Sequence, residues 1–237
     1  MAIEEINTNI YPTEEISVEP LAPIEEAEID TDVFVRTFLS EGLQHLGSLM
    51  MSEANNRGLS LALKALDRCR RDKKRIFLIG NGGSASTAQH LTSDLNKWAT
   101  GDGQAPVRAI CLNDNMSSMT ALTNDDGWEN VYEAQLKNLE AEAGDVIIAI
   151  SVHGGKGSDA AGVWSQNLTK AIANVKEHGG YAVGITGFDG GAMAELCDAH
   201  INVPAESTPH VEGLHLVVTH CIVDGLRVMA MGNYQEK

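Results

Sequence analysis

Four side chains in this sequence have the types and the spacing of a metal site. His90 and Asp94 are four residues apart, so on a helix they share one face and can reach the same ion or ligand. Glu212 and His220 are eight residues apart, which on a helix separates them by about 80° and lets both face one pocket. Two imidazoles and two carboxylates are a plausible ligand set for Zn²⁺ or another divalent metal. Solvated polar helix faces and hydrogen-bonded interior histidines have the same spacing.

Two glycine-containing segments have the composition of anion-binding loops. Asn81-Gly82-Gly83-Ser84 follows the apolar run 76–79, which predicts a strand, a sharp turn and a helix capped by Ser84 or Ser86. The free N–H groups and dipole of such a helix start favour a phosphate or another anion. The segment 151–158 contains two serines, one lysine and several glycines, so it is either a second phosphate loop or a plain surface loop.

Neither segment matches a nucleotide-binding motif. No G-x-G-x-x-G follows the first predicted strand, and no G-x-x-x-x-G-K-[ST] occurs anywhere in the sequence. Dinucleotide binding and P-loop hydrolysis are therefore disfavoured. A sugar phosphate fits these loops better.

The elements that must position these residues alternate regularly between strand and helix. This alternation predicts an α/β fold, a doubly wound parallel sheet of five strands preceded by two helices. Ligands of such sheets bind beyond the carboxyl ends of the strands, which is where both glycine-containing segments fall. The predicted strands are 76–79, 107–112, 145–151, 181–186 and 199–203, and the predicted helices are 31–50, 58–72, one following the glycine turn at 82–83, 115–122, 128–142, 161–178, 192–197 and 209–231.

Composition excludes several classes of protein. The formal net charge is −16, whereas binding of nucleic acid or of an anionic membrane needs a basic surface. Four scattered cysteines without a C-x-x-C pair favour reduced core residues over disulfides or a zinc ribbon. We find neither a signal peptide nor an apolar run approaching the length of a membrane span, so we expect a cytoplasmic protein.

The first 30 residues differ in composition from the rest of the chain. They contain nine acidic residues, three prolines and no Lys or Arg. Such a segment buries too little apolar surface to fold alone, so we predict a disordered acidic arm at 1–30 and one folded domain at 31–237. The arm either increases solubility or docks on a basic partner.

Taken together, these motifs resemble the sugar-isomerase (SIS) domain family, and within it the phosphoheptose isomerases. The likeness runs from about Asp32 to Met231. It includes the G-N-G-G-S turn, the His with an acid four residues later, the Asn124-Asp125 pair, T-G-x-D-G-G at 186–191, and a final helix with a ligand eight residues before a His.

The resemblance implies a reaction and a role for each matched residue. The reaction would interconvert sedoheptulose 7-phosphate and a manno-heptose 7-phosphate in a homotetramer, with metal-assisted proton transfer. Asp94 and His220 would be the acid and base. The metal, Zn²⁺ or another divalent ion, would be held by His90, Asp94, Glu212 and His220. The substrate would be bound by Asn81, Gly82, Gly83, Ser84, Asn124, Asp125, Ser151, Ser158 and Glu212.

Three departures from the family pattern bear on this implication. The family has Glu where this sequence has Asp94, and Gln where it has Glu212. The S-T-S-G-N-S phosphate loop of the family is replaced by the segment 151–158, which loses two hydroxyls and gains Lys156. The alternative function is that of a non-catalytic SIS protein, which binds a replication initiator or senses a sugar phosphate. Because all four ligand positions carry metal-binding residue types, the sequence favours the enzyme.

Overall fold

The computed structural model describes residues 29–101, 103–155 and 165–232. The chain divides into two compact units, residues 1–37 and 38–237. The described part of the first unit contains the start of a helix, where the Asp30 carboxylate accepts hydrogen bonds from the backbone N–H groups of Asp32 and Val33. The predicted acidic arm lies outside the described residues, except for its last two.

The second unit is built around a parallel sheet of five strands in the order β2-β1-β3-β4-β5, as predicted. The strands are β1 (Ile76–Gly80), β2 (Ala109–Cys111), β3 (Val146–Ser151), β4 (Tyr181–Thr186) and β5 (Ala199–Asn202). The helices are α1 (Thr31–Met51), α2 (Glu53–Arg71), α3 (Gly83–Lys97), α4 (Met116–Asp126), α5 (Val131–Asn138), α6 (Gln166–Glu177), α7 (Met193–Leu196) and α8 (Thr208–Met231), with a short 3₁₀ helix at Trp128–Asn130.

Helices cover both faces of this sheet because its strands are apolar on both sides. Along β1, Ile76 and Leu78 pack with α2, α3 and α8, whereas Phe77 and Ile79 face α4, α5 and α6. All five β1 residues are buried. The carboxyl ends of β1 and β3 are paired in register, so the segments that follow them leave the same edge of the sheet.

Most predicted elements exist, and their boundaries differ for local reasons. Helix α2 begins five residues earlier than expected, because the Ser52 side chain caps it by accepting a hydrogen bond from the Asn55 N–H. The expected helix 128–142 is shorter and begins with the 3₁₀ turn after Gly127, whose φ is 87°. Strand β4 has the predicted bounds.

One expectation about apolar segments needs correction. Helix α8 is long and apolar enough to cross a membrane by length and composition alone. Val218, Ile222 and Leu226 instead pack it against the sheet, so its apolar character is that of a core helix.

Candidate active site

Helices α3 and α8 lie side by side and run in the same direction, and functional side chains meet at two places along them. Near the middle of both helices, Nε2 of His90 lies 3.0 Å from Nε2 of His220. One carboxylate oxygen of Asp94 lies 3.2 Å from the His90 nitrogen and 3.6 Å from the His220 nitrogen. The structure therefore brings three of the four predicted metal ligands together.

This cluster is accessible from solvent. The side chains of His90, His220 and Asp94 are 48%, 57% and 31% exposed. The three ligand atoms lie within 4.8 Å of one another, which is close enough for a single ion to contact all of them. Two imidazole nitrogens and one carboxylate oxygen suit Zn²⁺ with an open fourth position, so the residues present fit the implied metal.

Glu212, the fourth predicted ligand, lies nearer the amino-terminal ends of the two helices and outside this group. Its carboxylate rests against Gly83, the first residue of α3. A Cβ atom built on Gly83 would lie 2.3 Å from one Glu212 oxygen and 2.8 Å from its carboxylate carbon. The contact therefore depends on the missing side chain of Gly83.

The turn between β1 and α3 is held by hydrogen bonds between side-chain amides. Gly82, with φ 57°, precedes α3 and provides no side-chain cap, so neither Ser84 nor Ser86 caps the helix as predicted. Asn81 and the fully buried Asn167 of α6 exchange two side-chain hydrogen bonds of 3.0 and 2.9 Å. The Asn81 amide is thus hydrogen-bonded within the protein, and its contact with substrate stays a prediction.

Tyr132 of α5 extends this network. Its hydroxyl donates to the Gly80 carbonyl at 2.6 Å, lies 3.2 Å from the Asn81 side-chain oxygen, and accepts from the Asn113 amide at 2.6 Å. Burial raises the pKa of the Tyr132 hydroxyl, so it remains a neutral donor. Tyr132, Asn113 and Asn167 were missed by sequence reasoning, because nothing in their spacing relates them to residue 81.

The other predicted substrate residues lie on several different elements. Ser84 and Ser151 are 4% and 8% exposed, which leaves their hydroxyls little access to solvent. Asn124 donates a 2.8 Å hydrogen bond to Asp125, and both are at the end of α4. Ser158 and Lys156 fall outside the described residues. Ser165, which precedes α6, was not singled out from the sequence but lies where the segment after β3 re-enters a helix.

Two cavities flank α3. One of about 370 Å³ opens beside the histidine cluster and is lined by Asp94, Lys97, Trp98, His220, Val223 and Asp224. The other, of about 630 Å³, lies between α3 and α4, and its lining includes Ser86, Gln89, Met119, Asn124 and Trp128. Lys97 and Trp98 were also missed, since only the packing of α3 on α8 places them beside His220.

His215, one turn after Glu212, has a different environment. It is fully buried, and neither ring nitrogen has a hydrogen-bond partner among the described residues. Burial lowers the pKa of His215 to about 4, and the nearby Thr186 backbone offsets part of this effect. His215 is therefore a neutral core residue.

Residues 46–187 match the family model of the SIS domain. The chain belongs to the SIS domain family, as its sequence motifs and parallel sheet indicate. Its relatives include phosphoheptose isomerases, which indicate that this chain is a sugar-phosphate isomerase.

Three comparisons define its position within the family. The phosphoheptose isomerase of Rhodospirillum rubrum is 36% identical over 148 residues, which cover 62% of this chain and 73% of that protein. The lincomycin biosynthesis protein LmbN of Streptomyces lincolnensis is 45% identical over 60% of this chain, and the match spans about half, 52%, of LmbN. The structure of phosphoheptose isomerase GmhA from Neisseria gonorrhoeae superposes with a TM-score of 0.72 at 25% identity, covering 83% of this chain and 98% of GmhA.

Proposed function

We propose that this protein interconverts a ketose phosphate and the corresponding aldose phosphate, with sedoheptulose 7-phosphate and D-glycero-D-manno-heptose 7-phosphate as the preferred pair. The observation that carries this proposal is the 36% identity to a phosphoheptose isomerase over 73% of that relative's length. The geometry at His90, Asp94 and His220 supports it, because these residues converge within one chain.

His90, Asp94 and His220 would hold the divalent metal, for which Zn²⁺ is our proposal. When bound, such an ion supplies a Lewis acid that stabilises negative charge on a substrate oxygen. The resemblance to the family assigns the proton-transfer roles to Asp94 and His220. A carboxylate and an imidazole are suitable groups for moving a proton between C1 and C2 of a sugar.

The phosphate would bind at the edge of the sheet where Ser151 ends β3 and Ser165 precedes α6. Helix N-termini favour anions, and α6 is 12 residues long. The glycines after β3 support a close approach of backbone to ligand, since Gly154 and Gly155 have φ of 65° and 83°.

A homotetramer in the cytoplasm completes the proposal. Helix α1 presents Leu39, Leu43 and Met50 with 66%, 70% and 64% exposure, and α8 exposes Leu216 and Val217. Apolar side chains on two neighbouring helices are typical of a subunit interface. Light scattering on the purified chain measures the assembly directly.

The decisive experiment is an isomerase assay over ketose phosphates of five to seven carbons, with and without added zinc. We expect turnover of the seven-carbon substrate that is lost with chelator and restored by metal. A chain that binds sugar phosphates but isomerises none of them would contradict the proposal and favour the sensing alternative.

The name of LmbN favours a second candidate, a sugar-phosphate isomerase acting in natural-product biosynthesis. The same assay separates the two candidates. Preference for a ketose phosphate other than the seven-carbon substrate would favour the second.

A further inference from the structure

A third cavity lies at the amino-terminal edge of the sheet and has no part in the site described above. Its volume is about 600 Å³, which is within the range of small-molecule sites. Its lining includes Val146 and Tyr181, the first residues of β3 and β4, so it lies at the edge opposite to the one where Ser151 ends β3. It shares no lining residue with the two cavities that flank α3.

One wall of this cavity is a single face of α2. The six α2 residues in the lining recur at intervals of three and four, which on a helix places them along one stripe. Leu61, Ala65 and Cys69 form an apolar row along the stripe. The row beside it consists of Lys64, Arg68 and Asp72. A ligand against this wall therefore meets apolar groups on one side and charged groups on the other.

Positive charge is concentrated at this wall, although the chain as a whole is acidic. Seven of the 17 Lys and Arg residues fall within 64–75. The lining itself contains three cations, Lys64, Arg68 and Lys74, and one carboxylate, that of Asp72, which leaves two net positive charges. A phosphate monoester carries about −1.5 to −2 charges at pH 7 and matches this balance.

The cations of the lining retain capacity to bind an anion. Lys64 is exposed and makes no ion pair with any residue that the structure describes. Arg68 meets Asp72 only through Nε, at 3.5 Å, and both side chains are more than half exposed. Lys74 contacts Glu142 at 3.1 Å, also near the surface. Exposed pairs of this kind are weak, so a phosphate can compete for these donors.

The other wall supplies space and an aromatic side chain. Gly144 and Gly179 precede β3 and β4 with φ of 89° and 81°, a conformation that favours glycine and keeps this wall free of side chains. The partly exposed Tyr181 adds its aromatic side chain to the lining. The backbone N–H groups of Val146 and Tyr181 already donate to carbonyls of neighbouring segments. Recognition of a ligand here therefore falls to side chains.

We propose that this cavity binds a nucleoside monophosphate. The base is flat and packs along Leu61, Ala65 and Tyr181, which provide apolar and aromatic surface. The phosphate accepts charge-assisted hydrogen bonds from Lys64 and Arg68. The site is independent of the proposed isomerase function and uses none of its residues.

Isothermal titration calorimetry on the full chain with AMP, GMP, CMP and UMP tests the proposal. We expect binding of about one molecule per chain with a Kd of roughly 1 mM or below. The corresponding nucleoside and inorganic phosphate should each bind roughly tenfold more weakly, because each lacks one half of the contacts. A ketose phosphate at saturating concentration should not displace the nucleotide, since the candidate active site lies elsewhere.

Three variants locate the binding. Lys64→Glu reverses a charge of the lining and should raise the Kd by roughly tenfold or more. Ala65→Phe fills the space beside the apolar row and should weaken binding to a similar extent. Arg57→Glu is a matched control, since Arg57 is exposed on α2 and outside the lining, and this variant should keep the parental Kd.

Failure of all four nucleotides to bind would overturn the inference, as would a parental Kd in Lys64→Glu. Inorganic phosphate that binds as tightly as the nucleotide would show a simple anion site instead. Displacement by a ketose phosphate would place the nucleotide in the isomerase site and contradict the proposal as well. Because calorimetry needs no turnover, the result is read separately from the outcome of the isomerase assay.

Discussion

Two groups of polar side chains beside α3 are built on opposite principles. Asn167 and Tyr132 are fully buried and Asn81 is half-buried, and their amides and hydroxyl are hydrogen-bonded to one another and to the Gly80 carbonyl. His90, Asp94 and His220 are partly exposed and share one crowded set of ligand atoms. The first group therefore maintains the shape of the β1 turn, and the second retains capacity to bind a ligand.

Removing the two histidines tests the group formed by His90, Asp94 and His220 and should have the largest effect on activity. The double variant His90→Ala, His220→Ala loses two of three ligand atoms, so elemental analysis should find almost no metal where the parent binds about one ion per chain. Turnover should fall by roughly 10² or more. Full metal content in this variant would place the ligands elsewhere.

Asp94 refines the same test. Asp94→Asn should lose metal and turnover together, because an amide is a poorer ligand than a carboxylate. Asp94→Glu keeps the charge and should retain both. If Asp94→Asn kept its metal but lost turnover, Asp94 would be the base that the family resemblance implies.

Asn167→Ala tests whether the Asn81–Asn167 amide pair stabilises the turn after β1. It removes both hydrogen bonds between Asn167 and the half-buried Asn81 amide, so the free energy of unfolding should fall by about 1–3 kcal/mol. Denaturant titration measures the change, and metal content should not alter. Asn56→Ala is a suitable control, since Asn56 is exposed and its side chain donates a hydrogen bond to the Met50 carbonyl. An unchanged stability in Asn167→Ala would mean that the turn does not depend on this amide pair.

The buried His215 should make the stability of the fold depend on pH. With a pKa of about 4 when folded and an ordinary value of 6.5 when unfolded, the unfolded state binds more protons between these values. Stability should therefore decrease as pH falls below 6.5, and the loss should be complete below about 4. Between pH 7 and 5 the parent should lose about 2 kcal/mol that His215→Leu does not lose. Equal pH slopes in denaturant titrations of the two proteins would contradict the assigned burial effect.

Deleting Met1 to Asp30 should have the smallest effect. The predicted arm has nine carboxylates and little apolar surface, so neither the melting temperature nor turnover should change measurably. Scanning calorimetry and the isomerase assay on the truncated chain check this. Dissociation of the assembly on truncation would show that the arm packs on a neighbouring subunit.

The sequence predicted what depends on neighbours along the chain. The apolar run of β4 and its flanking residues defined the strand to the residue, since a continuous apolar segment between polar ends is typical of a buried parallel strand. The four-residue spacing of His90 and Asp94 placed them on one helix face, and the structure agrees at 3.2 Å. Strand and helix alternation sufficed for the class of fold, because crossover connections leave few topologies.

Only the tertiary structure decided which distant residues meet. Asn81 and Asn167 are 86 residues apart in sequence, and their pairing follows from the packing of α6 beside the carboxyl end of β1. Glu212 and His220 share a helix, yet parallel packing of α8 on α3 places one against Gly83 and the other against His90. Helical periodicity determines the angle between two side chains, but the partner helix determines what each of them contacts.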